Sequence, residues 1–282
     1  MSSPHQPTPR QFSTRSGLTL QSDTYGSASS PPVILAHGGG QTRHAWRNTG
    51  LLLAEAGFYS ICLDLRGHGS SDWCSNGDYR VEAFADDLVD VSEELAAQPV
   101  LVGASLGGIA AMIAGGEMNP QLFKSVVLVD ITPHMEMDGV EKIVGFMKEH
   151  LDEGFSSLED AAGAIARYMP NRPSPSNLDG LRKNLRKIDG RYFWHWDPKF
   201  VNGVQRPSAS RDPERLAKAV KQIEGPILLV RGRMSELVSA ACVDQFLLLV
   251  PSAQFVDVEN AGHMVAGDRN DAFTEAILGF LA

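Results

Sequence analysis

Ser105 stands at the centre of Gly103-Ala104-Ser105-Leu106-Gly107, between the apolar run Val100-Leu101-Val102 and the small residues Gly108-Ile109-Ala110-Ala111. The apolar run reads as a buried strand and the stretch after it as a helix, so the pentapeptide between them must turn sharply. Glycines two places before and two places after the serine suit such a turn, because a Cβ there would collide with the neighbouring strand and helix. A serine held this way is presented to solvent. Its hydroxyl attacks poorly at neutral pH, so nucleophilic chemistry needs a base, a group that orients the base, and donors for the oxyanion that develops. His263, in Asn260-Ala261-Gly262-His263-Met264, follows a strand-like run and precedes the last helix, so its loop would open at the same edge as Ser105. It is the candidate base. His37-Gly38-Gly39-Gly40 directly follows the first apolar run, and its glycines let backbone N–H groups approach a negative oxygen closely. Gly39 N–H and Leu106 N–H are the expected oxyanion donors, with Gly40 the alternative if the loop is shifted by one residue. His37 is expected to support that loop by hydrogen bonding.

The elements that must position these groups follow from hydrophobic patterning. Runs at 33–36, 60–65, 100–102, 125–129, 227–230 and 254–258 read as buried strands, and segments at 49–56, 81–97, 106–118, 240–250 and 272–281 as helices. Strand-helix alternation implies an α/β fold, a mostly parallel, doubly wound sheet that carries its reactive groups at the carboxyl ends of strands. An antiparallel hairpin over 11–24, turning at Ser16-Gly17, is expected at one edge. The alternation stops after Asp130 and resumes at Ile227. The expected organisation is a first core part over 1–132, a helical cap insertion over 133–210 lying above the strand ends, and a second core part over 211–282.

Composition bounds the partners. The chain has 282 residues, 43% hydrophobic and 21% charged, the balance of an ordinary globular protein with a substantial core. A net charge of −9 opposes capture of nucleic acid or an anionic bilayer, which needs a basic face. The first ten residues lack the apolar centre of a signal peptide and no apolar run is long enough to span a bilayer, so a cytoplasmic location is expected, with neither nucleic acid nor membrane as partner. Cys62, Cys74 and Cys242 are too widely spaced to suggest a disulfide framework or a zinc site. No metal and no cofactor is expected.

The elbow pentapeptide, His37-Gly38-Gly39-Gly40, the run Asp64-Leu65-Arg66-Gly67-His68-Gly69-Ser70-Ser71-Asp72 and the chain order serine, acid, histidine together resemble the α/β-hydrolase fold family over nearly everything outside the cap. The resemblance implies a serine nucleophile and acyl chemistry, since the dehalogenases and epoxide hydrolases of this fold carry aspartate at the elbow. It also implies that the 64–72 loop, His68 included, is mainly structural. The acid departs from the common pattern. Family members usually carry aspartate three residues after the glycine that ends the penultimate core strand, and here that place, counted from Gly232, is Ser235. Asp130, at the end of Val126-Val127-Leu128-Val129, is the first choice, because some members draw their acid from that strand. Glu236 is the alternative acid.

Cations crowd the cap: Arg167, Arg172, Arg182, Lys183, Arg186, Lys187, Arg191 and Lys199. Arg182 and Arg186 are expected on one face of a helix at four-residue spacing, where they could hold a substrate carboxylate or simply be solvated. Trp194 and Trp196 either line a pocket or anchor the cap. The expected activity is that of a cofactor-independent serine hydrolase taking a small or medium carboxylic ester, lactone or amide, with an anionic small molecule as one form of substrate. Carbon-carbon bond hydrolysis or lyase chemistry with the same three residues is one alternative. A non-enzymatic small-molecule receptor is another. The sequence does not specify an oligomeric state.

Overall fold

The computed structural model describes residues 6–168, 178–207, 212–265 and 270–282. Met169-Pro170, Arg172, Pro173 and Pro175 of the inserted segment, and its expected boundary at Ser210, lie outside the described residues.

Eight strands form one sheet: β1 (Thr8–Ser13), β2 (Thr19–Tyr25), β3 (Pro32–Ala36), β4 (Tyr59–Leu63), β5 (Val100–Ala104), β6 (Ser125–Val129), and then, beyond the inserted segment, Ile227–Gly232 and Gln254–Val258. In chain order those last two are β9 and β10, and the sheet runs β1-β2-β4-β3-β5-β6-β9-β10. From β4 through β10 every pairing is parallel, whereas β1 pairs antiparallel with β2 and β2 antiparallel with β4. The early hairpin turns at Gly17, whose φ of 82° is reached without strain only by glycine.

The central strands read as continuous apolar runs because both faces are covered. Val33, Leu35, Val100, Val102, Val127 and Val129 face α1 (Arg47–Glu55) and α9 (Asn270–Leu281), where Trp46, Leu53, Phe273 and Ile277 are buried. Ile34, Ala36, Leu101, Val126 and Leu128 face α2 (Val81–Glu93), α3 (Leu106–Ile113), α7 (Pro213–Val220) and α8 (Ala240–Leu249). Helix α2 stops four residues short of its expected end, and α3 gives way to a π-helical turn over Ala114–Met118. Gly116 explains the close seating of that turn: a Cβ there would lie 2.1 Å from the Ala219 carbonyl oxygen of α7.

Between β6 and β9 the chain forms α4 (Met137–Lys148), α5 (Leu158–Tyr168), a 3-10 turn (Leu178–Asn184), a two-stranded hairpin of β7 (Leu185–Ile188) and β8 (Arg191–Trp194), and α6 (Pro198–Asn202). The expectation of helix through Arg182 and Arg186 is therefore corrected. Arg182 lies in the 3-10 turn and Arg186 on β7 opposite Phe193. The cause is Asp189-Gly190, with φ of 48° and 85°, the paired left-handed residues that close a two-residue hairpin. Helix α6 has the sequence signature of a capped start: Asp197 accepts from Lys199 N–H at 2.9 Å and Pro198 takes the first helical position. Among the described residues no helix is long and apolar enough to cross a membrane.

Candidate active site

The turn from β5 into α3 is as tight as the glycine spacing requires. Ser105 has φ 45°, a left-handed conformation that is uncommon outside glycine. A Cβ on Gly103 would sit 2.6 Å from Gly107 O, and one on Gly107 would sit 2.4 Å from Ala36 O on β3. Neither position admits a side chain. Ser105 N–H donates to Val129 O at 3.2 Å, tying the elbow to the end of the adjacent β6. Leu106 N–H heads α3, where the first-turn donors have no intrahelical acceptor.

The residue that follows β6 is Asp130, fully buried, with φ 49°. Its carboxylate is filled from three directions. Oδ1 accepts from Gly232 N–H at 3.1 Å, while Oδ2 accepts from Ser235 Oγ–H and from His263 Nδ1–H, each at 2.6 Å. Glu236 instead pairs with Lys142 at 2.5 Å on the surface, with 64% of its side chain exposed. Ser235, at the place where the family pattern has its acid, gives its proton to Asp130 and accepts from Leu237 N–H and Val238 N–H at 3.1 and 3.2 Å. The serine had no signal in the sequence beyond occupying that place. His263, with 21% of its side chain exposed, thus has Nδ1 committed to Asp130 and Nε2 left for exchange with a hydroxyl. Ser105 Oγ forms no hydrogen bond among the described residues. The elbow and the imidazole are both tied to the end of β6, the one through Val129 O and the other through the Asp130 carboxylate.

The glycine loop after β3 is held by histidines on several sides. His37 Nδ1–H donates to Gly38 O at 2.8 Å, and its Nε2 accepts from Leu65 N–H at 3.1 Å. A trans peptide points its N–H away from its carbonyl, so the bond to Gly38 O aims the Gly39 N–H in the opposite direction. Gly39 N–H has no acceptor among the described residues, whereas Gly40 N–H is taken by His68 Nε2 at 3.1 Å. Gln41 closes the loop by accepting from Gly38 N–H at 2.9 Å, and its amide reaches Met264, next to His263. Burial holds both rings neutral, lowering His37 to about 4 and His68 to about 3.

The cap roofs this loop. A Cβ on Gly39 would meet the Phe200 ring at 3.3 Å, and one on Gly40 would meet Met147 at 3.1 Å and Trp196 at 3.4 Å. Trp196 stacks on Trp194 at 4.8 Å between centroids, and Trp194 packs edge-on against Phe146 and Phe155 while its N–H donates to Glu149 O at 2.9 Å. Trp196 therefore borders the glycine loop, and Trp194 lies behind it in the body of the cap. Several cap cations are bound to main-chain carbonyls: Arg186 to Gly69 O at 3.1 Å, Arg191 to Glu153 O at 2.6 Å, Lys199 to Ser75 O at 2.9 Å. The Arg186 guanidinium also lies 4.3 Å over the Trp73 ring, so it joins β7 to the 64–72 loop. That loop is itself anchored by buried Asp64, which accepts from Arg43 N–H at 2.6 Å and Ser70 N–H at 2.9 Å and pairs with the Arg43 guanidinium. His195 bridges the cap to the two glycine loops, a contact with no signal in the sequence.

The chain is similar to known proteins in sequence and fold. The family model described as alpha/beta hydrolase fold matches residues 31–269. An esterase of Mycobacterium tuberculosis, Rv0045c, is 32% identical over 262 residues, covering 90% of this chain and 83% of that protein. A 2-(acetamidomethylene)succinate hydrolase of Mesorhizobium japonicum is 31% identical over 234 residues, covering 79% of this chain and 78% of that protein. Among solved structures, an E-2-(acetamidomethylene)succinate hydrolase superposes with a TM-score of 0.85 at 26% identity, covering 98% of this chain and 99% of the other. The M. tuberculosis esterase superposes with a TM-score of 0.76 at 27% identity, covering 98% and 91%. These relatives are named as enzymes, which sets aside the receptor alternative. With an elbow serine at φ 45° on a mostly parallel eight-stranded sheet and these relatives over most of its length, the chain belongs to the alpha/beta hydrolase fold family and is a hydrolase.

Proposed function

We propose that this enzyme is a serine hydrolase that cleaves a small or medium carboxylic ester, lactone or amide through an acyl-enzyme on Ser105. Ser105 Oγ attacks the acyl carbon as His263 Nε2 takes its proton, and Asp130 stabilises the imidazolium through the Nδ1–H bond. The oxyanion is received by Gly39 N–H and Leu106 N–H. His263 then protonates the leaving alcohol or amine, and a water that it deprotonates attacks the acyl carbon, releasing the acid and restoring Ser105. The observation that carries this reading is the 2.6 Å contact between His263 Nδ1 and the fully buried Asp130, at the strand end to which the elbow is tied. The apolar roof of Met147, Trp196 and Phe200 supports an acyl or alcohol group of low polarity beside the oxyanion donors.

The test is covalent. A fluorophosphonate probe should label Ser105 once per chain, and p-nitrophenyl esters should be turned over in proportion to the unlabelled fraction. Ser105→Ala should abolish labelling and lower kcat/KM by at least ~10⁴-fold with the fold intact. Turnover that persists in Ser105→Ala would overturn the assignment.

The relative named for a succinate derivative, with its matching fold, favours a second reading in which the substrate carries carboxylates. Arg182 and Arg186 are the cations that the four-residue spacing offers for that role, and Arg186 is engaged with Gly69 O and Trp73. A panel of esters matched in size and differing in charge separates the two readings.

A further inference from the structure

We propose that His195, carried by the cap, is a positioning residue for the oxyanion hole, holding the Gly40 peptide so that the Gly39 N–H stays aimed at the reacting oxygen. This rests on the serine-hydrolase reading above.

The hydrogen bonds specify the tautomer. Gly69 N–H lies 2.8 Å from His195 Nδ1, so that nitrogen must be the acceptor and bear no proton. The proton is then on Nε2, which donates to Gly40 O at 3.2 Å. His68 has the opposite tautomer: Nδ1–H donates to Arg66 O at 2.9 Å, leaving Nε2 bare for Gly40 N–H. Gly40 is thus held at its N–H by a core histidine and at its carbonyl by a cap histidine. Its φ of 76° shows why it needs holding, since a glycine there has ready access to other conformations.

The peptide on the other side of Gly39 is fixed by His37 at Gly38 O. The peptide after Gly39 is anchored by His68 at Gly40 N–H, and His195 anchors the next one, Gly40–Gln41, so that Gly40 cannot turn and release the His68 bond that keeps Gly39 in place. The rings also pack as a row, His37 to His68 at 5.2 Å and His68 to His195 at 5.8 Å between centroids, with Phe200 edge-on to His68 at 4.5 Å. His195 is 2% exposed, so water cannot replace its bonds when it is removed. The consequence is that the cap completes the alignment of a donor belonging to the core.

The experiment compares wild type with His195→Phe, which keeps a ring and loses both bonds, and His195→Gln, whose amide can supply one donor and one acceptor. Active sites are titrated with the fluorophosphonate, and kcat per titrated site, KM for a p-nitrophenyl ester and the inhibition constant of a trifluoromethyl ketone are measured. Removing an oxyanion donor costs about 10²–10³ in kcat, so misaligning one should cost about 10–100-fold in His195→Phe, with KM within about 3-fold. Ketone affinity should weaken by about the same factor as kcat/KM, because its adduct places an oxyanion in the hole, and His195→Gln should recover part of both losses. Unchanged kcat per titrated site in His195→Phe, with only thermal stability lowered, would overturn the proposal and leave His195 as a cap anchor. If the Phe variant does not fold, His195→Asn is read instead, being too short to keep both bonds: about a 5-fold or greater loss per site supports the proposal, and no loss overturns it. A wild type that turns over no ester, lactone or amide would remove the acyl-enzyme reading and this one with it, an outcome distinct from an active wild type with unaffected variants.

Discussion

The ends of β5, β6 and β9 and the segment that covers them are built in different ways. At the strand ends, ladder positions set the frame around Asp130: Gly232 closes β9, Val129 closes β6 and Ser105 follows β5 directly, while Ser235 and His263 come in from the loops that leave β9 and β10. In the covering segment, long side chains reach out to whatever carbonyl lies within range, as Arg186 does to Gly69 and Arg191 to Glu153. A parallel ladder converts sequence spacing into position in space, since each residue is registered to its neighbours. Side-chain reach does no such thing. Chemistry at the strand ends should therefore respond sharply to single atoms, and the cap, His195 apart, should respond mainly through packing.

The strongest test of that contrast is the pair of acids. Asp130→Asn should lower kcat by about 10³–10⁴-fold, by spoiling the orientation and charge that His263 needs. Glu236→Gln should change kcat by less than about 2-fold, because an exposed pair with Lys142 contributes little. Equal losses in steady-state ester hydrolysis would mean that reach, not register, selects the acid.

The cap should fail by volume instead. Trp194→Ala removes a buried indole from between Phe146, Phe155 and Trp196 and should cost about 3–5 kcal/mol in denaturant unfolding. Ser105 should still label at low temperature. Loss of labelling in folded protein would show the cap to be part of the nucleophile's support.

Acid should act at the seam between the two regions. The folded state keeps His37 near 4 and His68 near 3, through burial, while the unfolded chain takes up protons below about 6.5. Their contribution is complete above pH 6.5 and is lost as pH falls through that value toward 4, by about 3 kcal/mol per ring at pH 4. Buried Asp87, raised to about 6 by burial despite its pair with Arg66, has the opposite sense and offsets part of this. A differential measurement isolates the ring: in His68→Gln the thermal midpoint should fall less steeply than in wild type between pH 6.5 and 4. Parallel slopes would remove His68 from the account.

The smallest effect belongs to Arg186. Its contacts with Gly69 O and Trp73 predict that Arg186→Gln leaves the ratio of kcat/KM for anionic and neutral esters within about 2-fold and costs about 1 kcal/mol of stability. A selective loss of anionic turnover would return Arg186 to the pocket.

How much of this was legible follows the same division. The strands β3, β4, β5, β6 and β9 were readable from apolar runs because a sheet covered on both faces demands them, whereas β10, expected as a buried strand, is the sheet's edge and buries only Val258 fully. The elbow was readable because its glycines leave room for Gly107 O and Ala36 O. Ser235 was not, since a serine in a loop carries no mark of a partner 105 positions away. Arg182 and Arg186 do not share a helix despite their four-residue spacing, because Asp189-Gly190, flanked by the paired residues Ile188 and Arg191, is the stronger local signal. His195 was visible only as one ring in an aromatic cluster, because its role is defined by the Gly40 and Gly69 backbones.

The seam between cap and core has a consequence for divergence. Gly40 O, Gly67 O, Gly69 N–H, Gly69 O and Ser75 O receive the cap's His195, Asp197, Arg186 and Lys199. All five are main-chain atoms, which substitution leaves in place so long as the loops keep their shape. A lineage that keeps a donor and an acceptor at the place of His195 can thus exchange the rest of its lid, and with it the range of molecules admitted, while the machinery underneath passes unaltered from one descendant to the next.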